Sequence, residues 1–167
     1  MASSVNGQQT DRQKKRKYVV VPPEQVLMVI AYQPECKLKF EEVKFLAGVD
    51  GGDSPSVLVR NVGTRPIRSF TVGGAWGTET WSEEFTKKLF MPGERTVPGN
   101  DDTEILPLSK ELRDKLKLDG PMKAVFVLMV VRVEYADGSV YSAEPTYKAF
   151  LKFAEELLDL SNGAKSQ

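Results

Sequence analysis

Residues 124–142, AVFVLMVVRVEYADGSVYS, decide the fold. The stretch opens as an unbroken apolar run, Ala124 to Val131, and then alternates through Arg132-Val133-Glu134-Tyr135. It turns at Asp137-Gly138 and resumes through Val140 and Tyr141. Asp-Gly between β-prone segments is a strong short-range hairpin signal. A strand that is apolar on both faces must lie inside a sheet, covered on each side by another layer. The register turns on the loop. A two-residue loop pairs Tyr135 with Val140, whereas a bulged turn swaps Val140 and Tyr141 between inside and outside.

Upstream, Val57–Val62 and Ile67–Gly74 read as strands joined by Gly63-Thr64-Arg65-Pro66, and Phe85–Phe90 as a further strand. Arg95–Val97 and Thr103–Leu106 give short strands. Gly73-Gly74 marks a bulge or a close backbone approach. Leu38 and Phe40 share one parity while Val43 and Phe45 share the other, a phase slip that a β-bulge produces. Such a strand suits a crossing from one sheet of a sandwich to the other. Tyr18–Val21 and Val26–Tyr32 form an N-terminal arm broken at Pro22-Pro23.

Two helices are expected. Ser109 starts a brief helical segment in which Leu108, Leu112 and Leu116 recur every four residues, and Asp119-Gly120-Pro121 stops it. Pro145 opens a longer helix over 145–160. Its Tyr147, Phe150, Leu151, Ala154, Leu157 and Leu158 form one apolar stripe, and Phe153 and Leu160 widen it. Ser161-Asn162-Gly163 reads as its stop. The helix either folds back over an open sheet edge or end, or docks a protein partner or a second copy. The expected organisation is a disordered basic tail over 1–17, one β-sandwich domain over 18–161 and a disordered tail over 162–167.

Bulk chemistry narrows function. The chain has 41% hydrophobic and 28% charged residues, the balance of a packed globule. Formal net charge is zero, but Arg12, Lys14, Lys15, Arg16 and Lys17 crowd the first 17 residues against Asp11. The rest holds 18 basic and 22 acidic residues, a body at −4 that argues against a nucleic-acid-binding face. No histidine is present, which removes the usual general base and the commonest metal ligand. The lone Cys36 can form no intrachain disulfide and lacks a histidine to activate it. No apolar run of about 18 residues exists to span a membrane. The first 17 residues lack a signal-peptide apolar region, so the chain as written is not expected to be exported.

No nucleophile elbow, phosphate-cradling glycine loop or two-histidine metal motif occurs, and no cofactor is expected. Asp50 and Asp53 lack the spacing of a calcium loop. The doublets Glu41-Glu42, Glu83-Glu84, Asp101-Asp102 and Glu155-Glu156 point to opposite faces when they lie on strands, so adjacency makes no catalytic pair. Trp76 and Trp81 are the leading ligand candidates, with Tyr141, because aromatics on a β-surface can form a platform for a sugar or peptide. The competing reading has one tryptophan in the core and the other shielding a sheet end. Arg65, Arg68 and Arg95 could gather into a basic spot.

Three pieces carry a resemblance. VLVRNVGTRPIRSFTV (Val57–Val72) is similar to the V-x-N-x-G-x-x-x-I-x-x-F-x-V pattern of bacterial immunoglobulin-like sandwich domains. Leu89-Phe90-Met91-Pro92-Gly93-Glu94 is similar to their Pro-Gly-Glu corner, and VRVEYADGSVY to their closing hairpin. The chain departs from that group through its two helices. The resemblance implies an all-β, immunoglobulin-like (Greek-key) sandwich with an added C-terminal amphipathic helix. It implies adhesive or spacer modules with no catalytic residues to carry over. The expected function is a non-enzymatic binding or structural module acting through protein–protein contact. The alternative is a small carbohydrate-binding module using Trp76, Trp81 and Tyr141. An enzyme using carboxylates alone stands third.

Overall fold

A computed structural model of the chain describes residues 15–76, 79–99, 102–120 and 124–165. The decisive stretch forms β9 (Ala124–Tyr135) and β10 (Val140–Ser142). The remaining strands are β1 (Arg16–Val20), β2 (Val26–Ile30), β3 (Leu38–Gly48), β4 (Asp53–Asn61), β5 (Ile67–Trp76), β6 (Glu79–Phe90), β7 (Arg95–Thr96) and β8 (Thr103–Ile105). The helices are α1 (Lys110–Lys115) and α2 (Glu144–Lys165). The first sheet runs β7-β4-β3-β1-β8 and curls as a half-barrel. The second runs β10-β9-β5-β6, with β2 also paired to β9.

β9 is central, as its apolar run requires. One side pairs antiparallel with β5 from Trp76↔Phe126 to Ile67↔Tyr135. The other side is shared between β2, parallel over Ala124–Leu128, and β10, antiparallel over Arg132–Glu134. Phe126, Leu128 and Val130 face the core between the sheets, with Phe45, Val57, Phe70 and Phe90. Val125 and Val127 face outward against Ala154, Leu151 and Leu157 of α2, while Met129 and Val131 meet Tyr147 and Phe150. The helix therefore covers a sheet face, not an edge or end. The row Val125, Val127, Met129 and Val131 would otherwise lie in water.

The side chain of Leu158, in the expected stripe, lies outside the described residues. α2 continues past Ser161-Asn162-Gly163 to Lys165. A glycine inside a helix costs only about 1 kcal/mol and does not force a stop. Residues 1–14 of the expected tail lie outside the described residues. Arg16 and Lys17 belong to β1, opposite Thr103 and Glu104 of β8, so the first sheet begins inside the stretch read as tail.

The phase slip in β3 is a bulge: Phe40 pairs with Val59 and Glu42 with Leu58, leaving Glu41 extra. β3 nonetheless stays in one sheet. The crossing between sheets happens earlier, at Pro22-Pro23, where a short 3-10 turn (Pro23–Gln25) carries the chain from β1 to β2. Two prolines remove two donors, so the ladder must end there.

The β9–β10 loop takes the bulged form. Val140 pairs with Glu134 and Tyr141 with Val133. The Tyr135 amide donates to Ser139 O at 2.9 Å, the Gly138 amide donates to Tyr135 O at 3.0 Å, and Gly138 alone in the turn has positive φ, +86°. A type I′ turn needs two such residues, so the loop is a three-residue turn closed by a glycine bulge.

Candidate functional site

At one end of the sandwich the sheets part around an open cavity of about 960 Å³. Its walls include Lys17, Asp53, Trp76, Trp81, Glu83 and Glu104. Trp76, the last residue of β5, is half-buried and packs edge-on against Phe45 and Phe126, with centroids 6.1 and 6.2 Å away. Trp81 lies opposite Gly74, and Glu83 opposite the core residue Val72, so both side chains turn inward from β6. Gly74 has no room for a side chain: a Cβ there would lie 1.9 Å from Val127 O. Next to it, Gly73 makes space for the Tyr147 ring, whose hydroxyl donates to Trp81 O at 3.3 Å. Burial pushes the Tyr147 hydroxyl pKa up.

Tyr141 is not part of this end. It lies opposite Val133, seven residues along β9 from Phe126, the partner of Trp76. Seven residues of strand span roughly 23 Å. The Tyr141 hydroxyl accepts from Gln33 Nε2 at 3.0 Å and its ring packs on the core. Burial raises its pKa. The three aromatics proposed as a platform thus divide into a pair, Trp76 and Trp81, and a separate packed tyrosine.

The other candidates are engaged in the fold. Cys36 is buried, and burial raises its thiol pKa despite the bond from Sγ to Leu38 O at 3.5 Å and the nearby Lys39 and Lys37. Arg65 and Arg68 both reach the β9–β10 turn, while Arg95 lies apart against β3. Arg95 Nε meets Glu41 at 2.6 Å, Arg68 reaches Glu134 at 3.6 Å, and Arg65 pairs with Asp137 at 3.4 Å while its guanidinium lies 3.8 Å from the Tyr135 ring centroid. Each of the three is paired with a carboxylate. Among the described residues no cluster of three or more His, Cys, Asp or Glu side chains could hold a metal ion, and no helix is long and apolar enough to cross a membrane.

The motif residues carry structure. Asn61, fully buried, donates through Nδ2 to Arg65 O and Phe90 O, each at 3.0 Å, and its Oδ1 accepts from the Gly63 amide at 3.0 Å. Its backbone carbonyl accepts from the Gly93 amide at 2.7 Å. One asparagine therefore ties the β4–β5 turn to the Pro-Gly-Glu corner.

The surface that the sequence reading did not single out is β2 and its exit. Leu27, Met28, Ile30 and Tyr32 are 45%, 38%, 47% and 91% exposed. Among the described residues β2 pairs with β9 alone, so its other edge is open. The signal was available, since Val26–Tyr32 holds no charge and no proline.

Comparison with family models, with curated proteins and with solved structures returns no match to this chain.

Proposed function

We propose that the chain is an immunoglobulin-like sandwich module that works without catalysis, by protein–protein contact. The observation that carries this reading is the concentration of exposed apolar side chains on and beside one open edge, at Leu27, Met28, Ile30 and Tyr32. Contiguous exposed apolar surface marks interaction sites, and an open strand edge adds backbone donors and acceptors to it. The immunoglobulin-like assignment draws support from strand order: β4 pairs with β3 and β7 in one sheet, while β5, β6, β9 and β10 make the other. The lone Cys36 is buried, so the one thiol offers no accessible nucleophile.

A photo-crosslinking side chain replacing Tyr32 tests the reading in cells. Protein adducts are the expected outcome. Irradiation that yields none while the chain is folded and abundant would overturn it.

A second reading, a small carbohydrate-binding module, is favoured by one observation, that Trp76 and Trp81 line the same open cavity beside Glu83. Tyr141 has no part in it. Soluble oligosaccharides should then shift tryptophan emission, and Trp81→Ala should abolish the shift. Emission unchanged by every sugar tried, with both tryptophans shielded from acrylamide, would end this reading.

A further inference from the structure

We infer that the β2 edge is the seam of a twofold homodimer, in which β2 pairs antiparallel with β2 of a second copy, in register about Met28. This rests on the protein-contact reading and names the partner as the same chain.

The first support is how the edges differ. β7, β8 and β10 are two or three residues long, and β6 carries Glu79, Glu83, Glu84 and Lys88. Short strands and charges are the ways sheets protect an edge from pairing. β2 has neither.

The second support is the direction of the free backbone groups. The Ala31 amide donates to Leu128 O at 3.0 Å, so Ala31 faces β9. Alternation then turns Val29 and Leu27 toward β9, and Ile30, Met28 and Val26 toward the open edge. The Val26 amide is taken by Pro23 O. Among the described residues, what remains is Met28 N–H and C=O, Ile30 N–H and C=O, and Val26 C=O. A twofold through Met28 sets Met28 against itself and Ile30 against Val26, closing four intermolecular N–H···O=C bonds. The same register sets Glu24 opposite Tyr32, so no like charges meet.

The third support is area. Phe150 packs against the same outer-face clusters of β9 as Val29 and Ala31 do, and Phe153 stacks on Phe150 with centroids 6.4 Å apart, which places the exposed Phe153 toward the β2 side of α2. Leu160 lies two turns further on the same side. At roughly 200 Å² for a large apolar side chain, the exposed fractions of Leu27, Met28, Ile30, Tyr32, Phe153 and Leu160 leave about 670 Å² open on one copy. Two copies then offer about 1,300 Å², inside the roughly 1,200–2,000 Å² of specific interfaces. The paired sheets would become one continuous sheet, with the two α2 helices side by side across the axis.

Sedimentation of the full chain over micromolar to sub-millimolar concentration should show a dimer. Met28→Pro should be monomeric with an unchanged far-ultraviolet spectrum, because that amide faces the open edge where proline is tolerated. Met28→Cys tests the register in folded protein. Its Cα would lie roughly 5.5 Å from its mate, within disulfide reach, so oxidation should link the dimer covalently. Ile30→Cys should not link, since its mate is displaced by four residues, roughly 13 Å along the strand. A wild-type monomer throughout, or a dimer that Met28→Pro leaves intact, overturns the proposal. If the wild type is monomeric yet the Tyr32 crosslinker captures other proteins, the homodimer fails and the protein-contact reading stands. A monomer with no adducts ends both.

Discussion

Gln33 holds both backbone groups of Val130: its Oε1 accepts from the Val130 amide at 2.9 Å and its Nε2 donates to the Val130 carbonyl at 2.8 Å. One side-chain amide thus stands in for a strand. The position is the gap along β9 between the end of β2, at Leu128, and the start of β10, at Arg132. β9 is also bulged there, with Val72 opposite Val130 and Thr71 opposite Arg132. The Gln33 carbonyl in turn accepts from Lys39 Nζ at 2.7 Å.

Removing that amide leaves two polar backbone groups of a fully buried residue without partners. Gln33→Ala should therefore destabilise the fold by about 2–4 kcal/mol, read from urea midpoints. Gln33→Glu keeps the acceptor but sets a carboxylate against the Val130 carbonyl. Protonation restores a donor, so this variant should gain stability relative to wild type as pH falls through the carboxylate range. A Gln33→Ala protein as stable as the wild type would show that water serves Val130 equally well.

The central strand, the hairpin and the β3 bulge were legible because each rests on local alternation or turn chemistry: Phe126 to Val131, Asp137-Gly138, and the parity change between Phe40 and Val43. The sandwich and its C-terminal helix followed from the same patterns. The loop register and the face that α2 covers were not legible, since both depend on long-range pairing. Gln33 was invisible for the same reason: nothing near it in sequence announces a contact with Val130, 97 residues away. Of the candidate site, Trp76 and Trp81 do share a cavity, whereas Tyr141 pairs with Val133, seven residues along β9 from the partner of Trp76, a distance set by long-range strand pairing.

Gly73 and Gly74 should respond differently to the same change. A Cβ on Gly73 would meet the Tyr147 hydroxyl at 2.8 Å, the far end of a side chain that can turn away. A Cβ on Gly74 would meet the Val127 carbonyl oxygen at 1.9 Å, which is backbone inside the central ladder. Gly74→Ala should abolish folding or cost more than about 4 kcal/mol. Gly73→Ala should cost about 1–3 kcal/mol, and much less when combined with Tyr147→Ala. Equal losses for both, measured by thermal and urea melts, would contradict the close approach at Gly74.

Stability should be flat through neutral pH and fall on the alkaline side. No histidine titrates in the neutral range. Burial raises the pKa of the Cys36 thiol from its ordinary 9.0 and of the Tyr141 and Tyr147 hydroxyls from 10.0. The folded state therefore holds protons that the unfolded chain releases. The stabilisation is fully present below the unfolded pKa values and is lost as pH rises through the folded ones. Cys36→Ala should remove the onset near 9.0 and leave only the tyrosine limb. A steep slope between about pH 6 and 7.5 would contradict this account.

Lys117 is the non-glycine residue with a positive φ, 54°, among the described residues. It ends α1, where the Leu118 amide reaches back to Arg113 O at 2.9 Å and the Lys117 amide to Asp114 O at 3.2 Å. That is the pattern of a Schellman motif, whose left-handed position normally holds glycine. A lysine is held there because the next residue, Leu118, is buried in the core between the sheets. The start of α1 is capped, with Ser109 Oγ accepting from the Leu112 amide at 3.2 Å, so any strain sits at its end. Lys117→Gly should stabilise the fold by about 0.5–1 kcal/mol, the relief of the left-handed lysine less the extra freedom of an unfolded glycine. Lys117→Val should destabilise it, because a β-branched residue tolerates that φ least. The two variants share one position, so opposite changes in melting temperature would isolate the backbone effect.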